Sequence, residues 1–140
     1  MNYLLDTCVI SEVTKRAPNP NVLKWLAERD EESLLLSVLT LGELETGVAR
    51  LPASRKRERL RQWIDSDLRS RFEGRVLNVD PAVALRWGQL TAANAARGRA
   101  LPVIDGLLAS TALVHDLTIV TRNTADLTVE GVQVFDPWAT

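Results

Sequence analysis

Short apolar runs alternate along this chain with longer stretches of helical spacing. Tyr3-Leu4-Leu5 is apolar and ends at Asp6, and an unbroken apolar run of this kind predicts a strand covered on both faces. Thr7 is then placed to cap a helix whose Ile10 and Val13 face inward. Pro18-Asn19-Pro20 breaks the chain, and Val22, Leu23, Trp25 and Leu26 form the stripe of a second helix. Ser33 to Val38 reads as a second buried strand. Thr40 and Glu43 fit a capping box, so a helix is expected to start near Thr40 and run to about Leu51, before Pro52. Leu60, Trp63, Ile64 and Leu68 predict a helix over about Ser54 to Phe72, and Arg75 to Asn78 a strand. Pro81 suits the first turn of a helix carrying Val83, Ala84, Trp87 and Leu90, which Gly98 closes. Ile104 to His115 is helical and apolar. Thr118 to Thr121 reads as a strand, and Val132 to Phe135 as the last one.

Strands that alternate with helices call for parallel pairing, because each crossover returns the chain to the same edge of the sheet. The expected class is therefore α/β, with a mostly parallel central sheet of about four to five strands flanked by helices. The length of 140 residues suits one domain over 1–140, large enough to fold without disulfides or a structural metal. No repeat, low-complexity stretch or linker interrupts it.

Charge narrows the function classes. The formal net charge is -1, so the molecule as a whole is not an electrostatic nucleic-acid binder, and any basic contact surface must be local. Arg50 to Arg75 holds nine of the 17 basic residues against four acidic ones. That segment is either a phosphate-contacting rim, a solvated helix face, or one wall of a groove for a protein partner, and the solvated face is the default. Cys8 is the only cysteine, so no internal disulfide forms and a cytoplasmic location is expected. The start of the chain does not read as a secretory signal, and no apolar run approaches the roughly 20 residues needed to cross a bilayer.

Ligands of a parallel α/β sheet bind beyond the carboxyl ends of its strands. Asp6 lies there after the first strand, and Asn123 and Asp126 lie there after the Thr118 to Thr121 strand. Glu43 and Asp105 lie near helix starts that face the same rim. Clustered carboxylates repel one another unless a cation sits among them, and oxygen-only ligands select Mg²⁺ or Mn²⁺. Each acid is also placed to be only a helix cap, Glu43 most of all. Asp6 is least open to that objection, because a carboxylate at the mouth of a buried strand is costly without a partner. Thr7 either orients water near the site or caps its helix. Gly47 either permits close helix approach or is a surface glycine. The four tryptophans, Cys8, Arg122 and His115 read as packing or surface residues.

Four segments carry a family resemblance. Leu4-Leu5-Asp6-Thr7-Cys8-Val9-Ile10-Ser11-Glu12 resembles the opening of PIN-domain proteins. Ser37 to Gly47, around Glu43, resembles their second motif, Gly98 to Ala109, around Asp105, their third, and Val120 to Leu127 their fourth. The segments come in order, span nearly the whole chain, and look most like the VapC and FitB-like toxins of bacterial toxin–antitoxin pairs. The resemblance implies a PIN-like fold and an endoribonuclease that cuts RNA with Mg²⁺ and metal-activated water. It also implies a homodimer, held inactive by a VapB-type antitoxin through which alone DNA is contacted. Asp6 and Asp105 would be the metal ligands, with Glu43 completing the site. Asn123 stands where many PIN domains have an acid, so either Asn123 or Asp126 fills the fourth place.

Other readings fit less well. A haloacid-dehalogenase phosphatase needs a second Asp where this chain has Cys8. A receiver domain needs a late lysine, but Lys15, Lys24 and Lys56 are the only lysines. The competing class is a non-catalytic PIN-like module that binds RNA or protein.

Overall fold

The computed structural model describes residues 1–139. Its centre is one five-stranded sheet of β1 (Asn2–Leu5), β2 (Leu34–Ser37), β3 (Val76–Leu77), β4 (Leu117–Val120) and β5 (Gln133–Phe135). The strand order is β3-β2-β1-β4-β5, and every pairing is parallel. The chain builds outward from β1 on one side through β2 and β3. It then crosses back to lay β4 and β5 on the other side. The reversal opens a crevice beyond the carboxyl ends of β1 and β4, where α/β sheets bind ligands.

Adjacent residues of β1 point to opposite faces, and each face has its own core. Leu5 joins Val9, Val22, Leu36, Leu68 and Phe72 on one face. Leu4 joins Leu108, Ala112, Leu117, Ile119 and Leu127 on the other. Both leucines are almost fully buried, as the unbroken apolar run predicts. Helices α1 (Thr7–Val13), α2 (Pro20–Ala27), α3 (Val38–Ala49), α4 (Arg55–Gln62), α5 (Arg69–Arg71), α6 (Pro81–Ala96) and α7 (Val103–His115) flank the sheet. The helix expected from Ser54 to Phe72 is α4, a π-helical stretch over Trp63–Leu68 and α5 in succession. Gly98 follows α6 in the left-handed conformation (φ +71°) that its closing role requires.

Two capping expectations are corrected. Asp6, not Thr7, caps α1, and its Oδ1 accepts the Thr7 N–H at 2.8 Å. Helix α3 starts at Val38 rather than near Thr40, and the Ser37 hydroxyl caps it by accepting the Leu39 N–H at 3.0 Å. The physical reason is the same in both places. The last extended residue of each strand runs straight into the helix with no loop between, so the cap falls at the strand end. Thr40 is helical and fully buried, and Glu43 is released from the capping role.

One buried acid outside the carboxylate rim holds the α1 side together. Glu12 is 4% exposed and accepts from Lys15 Nζ (3.0 Å), the Asn19 N–H (2.9 Å) and the Trp138 indole (3.2 Å). Lys15, then the Asn19 amide, hold its carboxyl below the usual range. A group whose folded pKa is depressed stabilises the fold above its ordinary value, here 4.5, and loses that contribution as the pH falls through the folded value. Glu12→Gln should therefore melt below wild type at neutral pH. Thermal melts across a pH series should show the gap closing below 4.5.

Candidate active site

Asp6 stands at the carboxyl end of β1, where its own N–H donates to the Val120 carbonyl of β4 at 2.9 Å. Its side chain is 9% exposed and held at both oxygens. Oδ1 accepts from the Thr7 N–H, and Oδ2 accepts from the Thr121 hydroxyl at 2.8 Å. Thr121 follows β4 directly, is fully buried, and in turn accepts the Asn123 N–H at 3.0 Å. The relay from Asn123 through Thr121 to Asp6 fixes one carboxylate orientation. A carboxylate has about four lone-pair sites, so both oxygens keep capacity for a cation.

Glu43 lies in the second turn of α3, exposed, and its Oε1 accepts the Thr7 hydroxyl at 2.5 Å. Thr7 is thus neither a cap nor a free hydroxyl; it joins α1 to α3. Asp105 lies in the first turn of α7, where the helix dipole favours a negative charge. Gly106, the next residue, lets α6 close against α7, since an added Cβ would meet the Trp87 ring at 3.0 Å. At Gly47 an added Cβ would meet nothing, so that residue is a surface glycine.

The carboxyl of Asp105 is pushed above its usual range. Burial is the largest cause, followed by the charges of Asp126, Asp6 and Glu43 in that order. Four acids from four separate elements therefore share one electrostatic neighbourhood. Asp126 comes from the turn after β4 and shares an open pocket of about 400 Å³ with Asp105, Asn94 and Arg99. It is Asp126 that brings the fourth carboxylate to the rim. Asn123 is tied to the site by its backbone amide.

The donor set suits a hard divalent cation, being carboxylate oxygen throughout. Among the described residues no three acidic, His or Cys side chains stand close enough to grip a metal as placed. Mg²⁺ asks for less, because it keeps several waters and takes one or two carboxylates directly. The mutual repulsion felt at Asp105 is what such a cation would relieve. The residues present therefore fit Mg²⁺ with Asp6 and Asp105 as its holders and Glu43 and Asp126 around it.

Cys8 packs against the site, its Sγ 3.8 Å from Asp6 Oδ2 and 3.6 Å from the Thr121 hydroxyl, and burial pushes its thiol up, which suits an unreactive side chain. Other residues fall outside the site. His115 ends α7, ten residues and about 15 Å from Asp105 along the helix. Trp25 packs edge-on to Tyr3 and stacked on Phe135, and Arg122 lies over the Trp138 ring at 5.6 Å. Thr121 is the contact of Asp6 that the sequence alone does not point to. The signal for it is topological: β1 and β4 end side by side, so the residues after them meet.

The chain is similar to known proteins in sequence and fold. The PIN domain family model matches residues 3–127. The chain is 37% identical over 135 residues to Toxin FitB of Neisseria gonorrhoeae, covering 96% of this chain and 97% of that one. It is 33% identical over 135 residues to VapC ribonuclease Y4jK of Sinorhizobium fredii, covering 96% of each. The solved structure of FitAB bound to an IR36 DNA fragment contains a chain that superposes with a TM-score of 0.90 at 35% identity, covering 97% of this chain and 95% of that one.

Proposed function

The chain belongs to the PIN-domain family, and we propose that it is the toxin of a toxin–antitoxin pair, an endoribonuclease that cuts RNA with Mg²⁺ at its acidic rim. The carrying observation is geometric: at the crevice beyond β1 and β4, Thr7 joins Asp6 to Glu43, and Asp105 and Asp126 line one pocket, with the raised Asp105 carboxyl in accord. Asp6 and Asp105 hold the cation, with Mn²⁺ as a workable substitute. When bound, the ion lowers the pKa of a coordinated water and stabilises charge that develops on the phosphate. Thr121 and the Thr7 amide keep Asp6 from swinging away. Glu43 keeps one oxygen for the Thr7 hydroxyl and has the other to orient water. The names of the relatives support the toxin and ribonuclease reading.

The partner follows from the same relatives. FitAB is a two-component complex solved on DNA, so a FitA- or VapB-type antitoxin is the expected partner here, and DNA is reached through it. A homodimer is supported by apolar surface on α6 and α7. Leu85 is 71% and Val103 58% exposed, and the Gly106–Trp87 contact brings their helix segments together. No helix among the described residues is long and apolar enough to cross a membrane. A cytoplasmic location follows from the proposed RNA substrate.

Expression without the antitoxin should arrest growth, and the purified protein should cut total RNA in Mg²⁺ or Mn²⁺. Harmless expression together with intact RNA would favour the non-catalytic binding module. Thr121→Val tests the relay. It removes a buried hydrogen bond to a charged group, which costs about 2 kcal/mol. Loss of an outer partner of a metal ligand lowers activity roughly 10- to 100-fold. Calorimetric melting and a Mg²⁺ titration of the cleavage rate read the two effects. Wild-type metal affinity in the variant would remove Thr121 from the site.

A further inference from the structure

We propose that the trough between the end of α1 and the face of α4 is the track for the RNA strand as it leaves the acidic rim, with Lys15, Arg16, Lys56 and Arg59 on its phosphates. This rests on the ribonuclease reading above and adds where the substrate runs. Two hollows meet here. The first begins at Thr7 and Glu43 and passes along Ser11 and Gly47. The second, a trough of about 900 Å³, carries the four cations and no acid in its lining. Both share Thr14, Leu51, Leu60 and Trp63, so one path leads from the catalytic carboxylates to the basic end. Helix α1 runs from Thr7 to Val13, on the order of 9 Å at helical rise, and Arg16 lies three residues beyond it. A stacked strand rises about 3.4 Å per phosphate along its axis, so this length serves a few nucleotides.

Ion pairing takes three cations of the basic segment out of consideration, and of those left unpaired Lys56 and Arg59 are the ones that line the trough. Arg61 is paired with Glu45, and Arg71 and Arg75 with Glu31. Among the described residues Arg16, Lys56 and Arg59 have no ion pair, and Lys15 shares Glu12. In a chain of net charge -1, this trough is a local basic surface continuous with the acidic rim. A polyanion repelled by four carboxylates gains a counterweight there. The floor of Leu51, Leu60 and half-buried Trp63 offers an apolar and aromatic surface on which bases can rest without sequence preference.

The test uses the full chain and a Lys56→Ala/Arg59→Ala double variant. Both side chains are exposed, so the fold should survive, and circular dichroism checks it. Binding of a labelled single-stranded RNA is followed by fluorescence anisotropy over a salt series, in an Asp6→Asn background to prevent cutting. Each lost phosphate contact on a single strand removes about 0.7 from the slope of log affinity against log salt, so the slope should fall by about 1.4. In the cleavage-competent protein, KM should rise while kcat holds. An unchanged slope and KM would overturn the track, whether or not the protein cuts RNA. RNA bound with the predicted slope but left uncut would instead sink the ribonuclease reading and leave the track standing. If polyglutamate binds wild type as tightly as the RNA does, with the same loss in the double variant, the trough seats an acidic protein and the proposal fails.

Discussion

Asp6→Asn should lower Mg²⁺-dependent RNA cleavage by about a thousandfold while leaving the protein folded. Charge stabilisation by a correctly held metal contributes several kcal/mol, and about 4 kcal/mol corresponds to that factor. The substitution removes the charge but spares the architecture. Asn caps helices as well as Asp does, so the acceptor for the Thr7 N–H is kept. The amide nitrogen can donate to Thr121, whose hydroxyl now donates to Asp6 Oδ2. Initial cleavage rates at saturating Mg²⁺, beside a melting curve, separate the two effects. A folded variant that cuts at the wild-type rate would take Asp6 out of the mechanism.

Asp105→Asn should abolish cleavage too, yet raise the melting temperature of the metal-free protein. Its carboxyl is pushed up by burial and by Asp126, Asp6 and Glu43. Between its ordinary value of 3.8 and the raised folded value, the native state binds more protons than the unfolded one. Stability therefore falls as the pH rises through that window and stays lower above it. Removing the charge lifts this penalty at neutral pH, and the advantage of the variant should vanish below 3.8. Mg²⁺ reverses the comparison. At about 100 times its dissociation constant it adds about 2.7 kcal/mol to a protein that binds it only when folded. The wild type should gain several degrees of melting temperature from Mg²⁺, and the variant little. A variant that melts lower without metal, and responds to Mg²⁺ as wild type does, would place Asp105 outside the metal site.

The parts of this site that could be read from sequence are those whose logic is local. Asp6 announces itself as a carboxylate at the mouth of a buried strand, and the alternation of strands and helices gives the parallel sheet. The caps fall earlier than periodicity suggests, because Ser37 both ends β2 and caps α3, and Asp6, the single residue between β1 and α1, caps α1. Periodicity places such boundaries only to within a few residues. Thr121 lies 115 positions from Asp6, and their hydrogen bond is visible only once β4 is known to flank β1. Asn123 and Asp126 share one tight turn after β4, in which the Asn123 amide is drawn to Thr121, and no local sequence signal separates their roles. The cations of Arg50 to Arg75 could not be sorted either, because Glu31 and Glu45, which pair three of them, lie on elements distant in sequence.

The chemistry of the cut ends tests the account most directly. Purified wild type is incubated with a defined single-stranded RNA in Mg²⁺, in EDTA, and in EDTA followed by excess Mg²⁺, and the termini are identified by mass spectrometry. Water attacking the phosphate at an acidic, metal-holding rim leaves linear phosphomonoester ends. Cleavage should stop in EDTA and return with Mg²⁺. Cyclic 2′,3′-phosphate ends, cutting that survives EDTA, or RNA left whole in Mg²⁺ would contradict it.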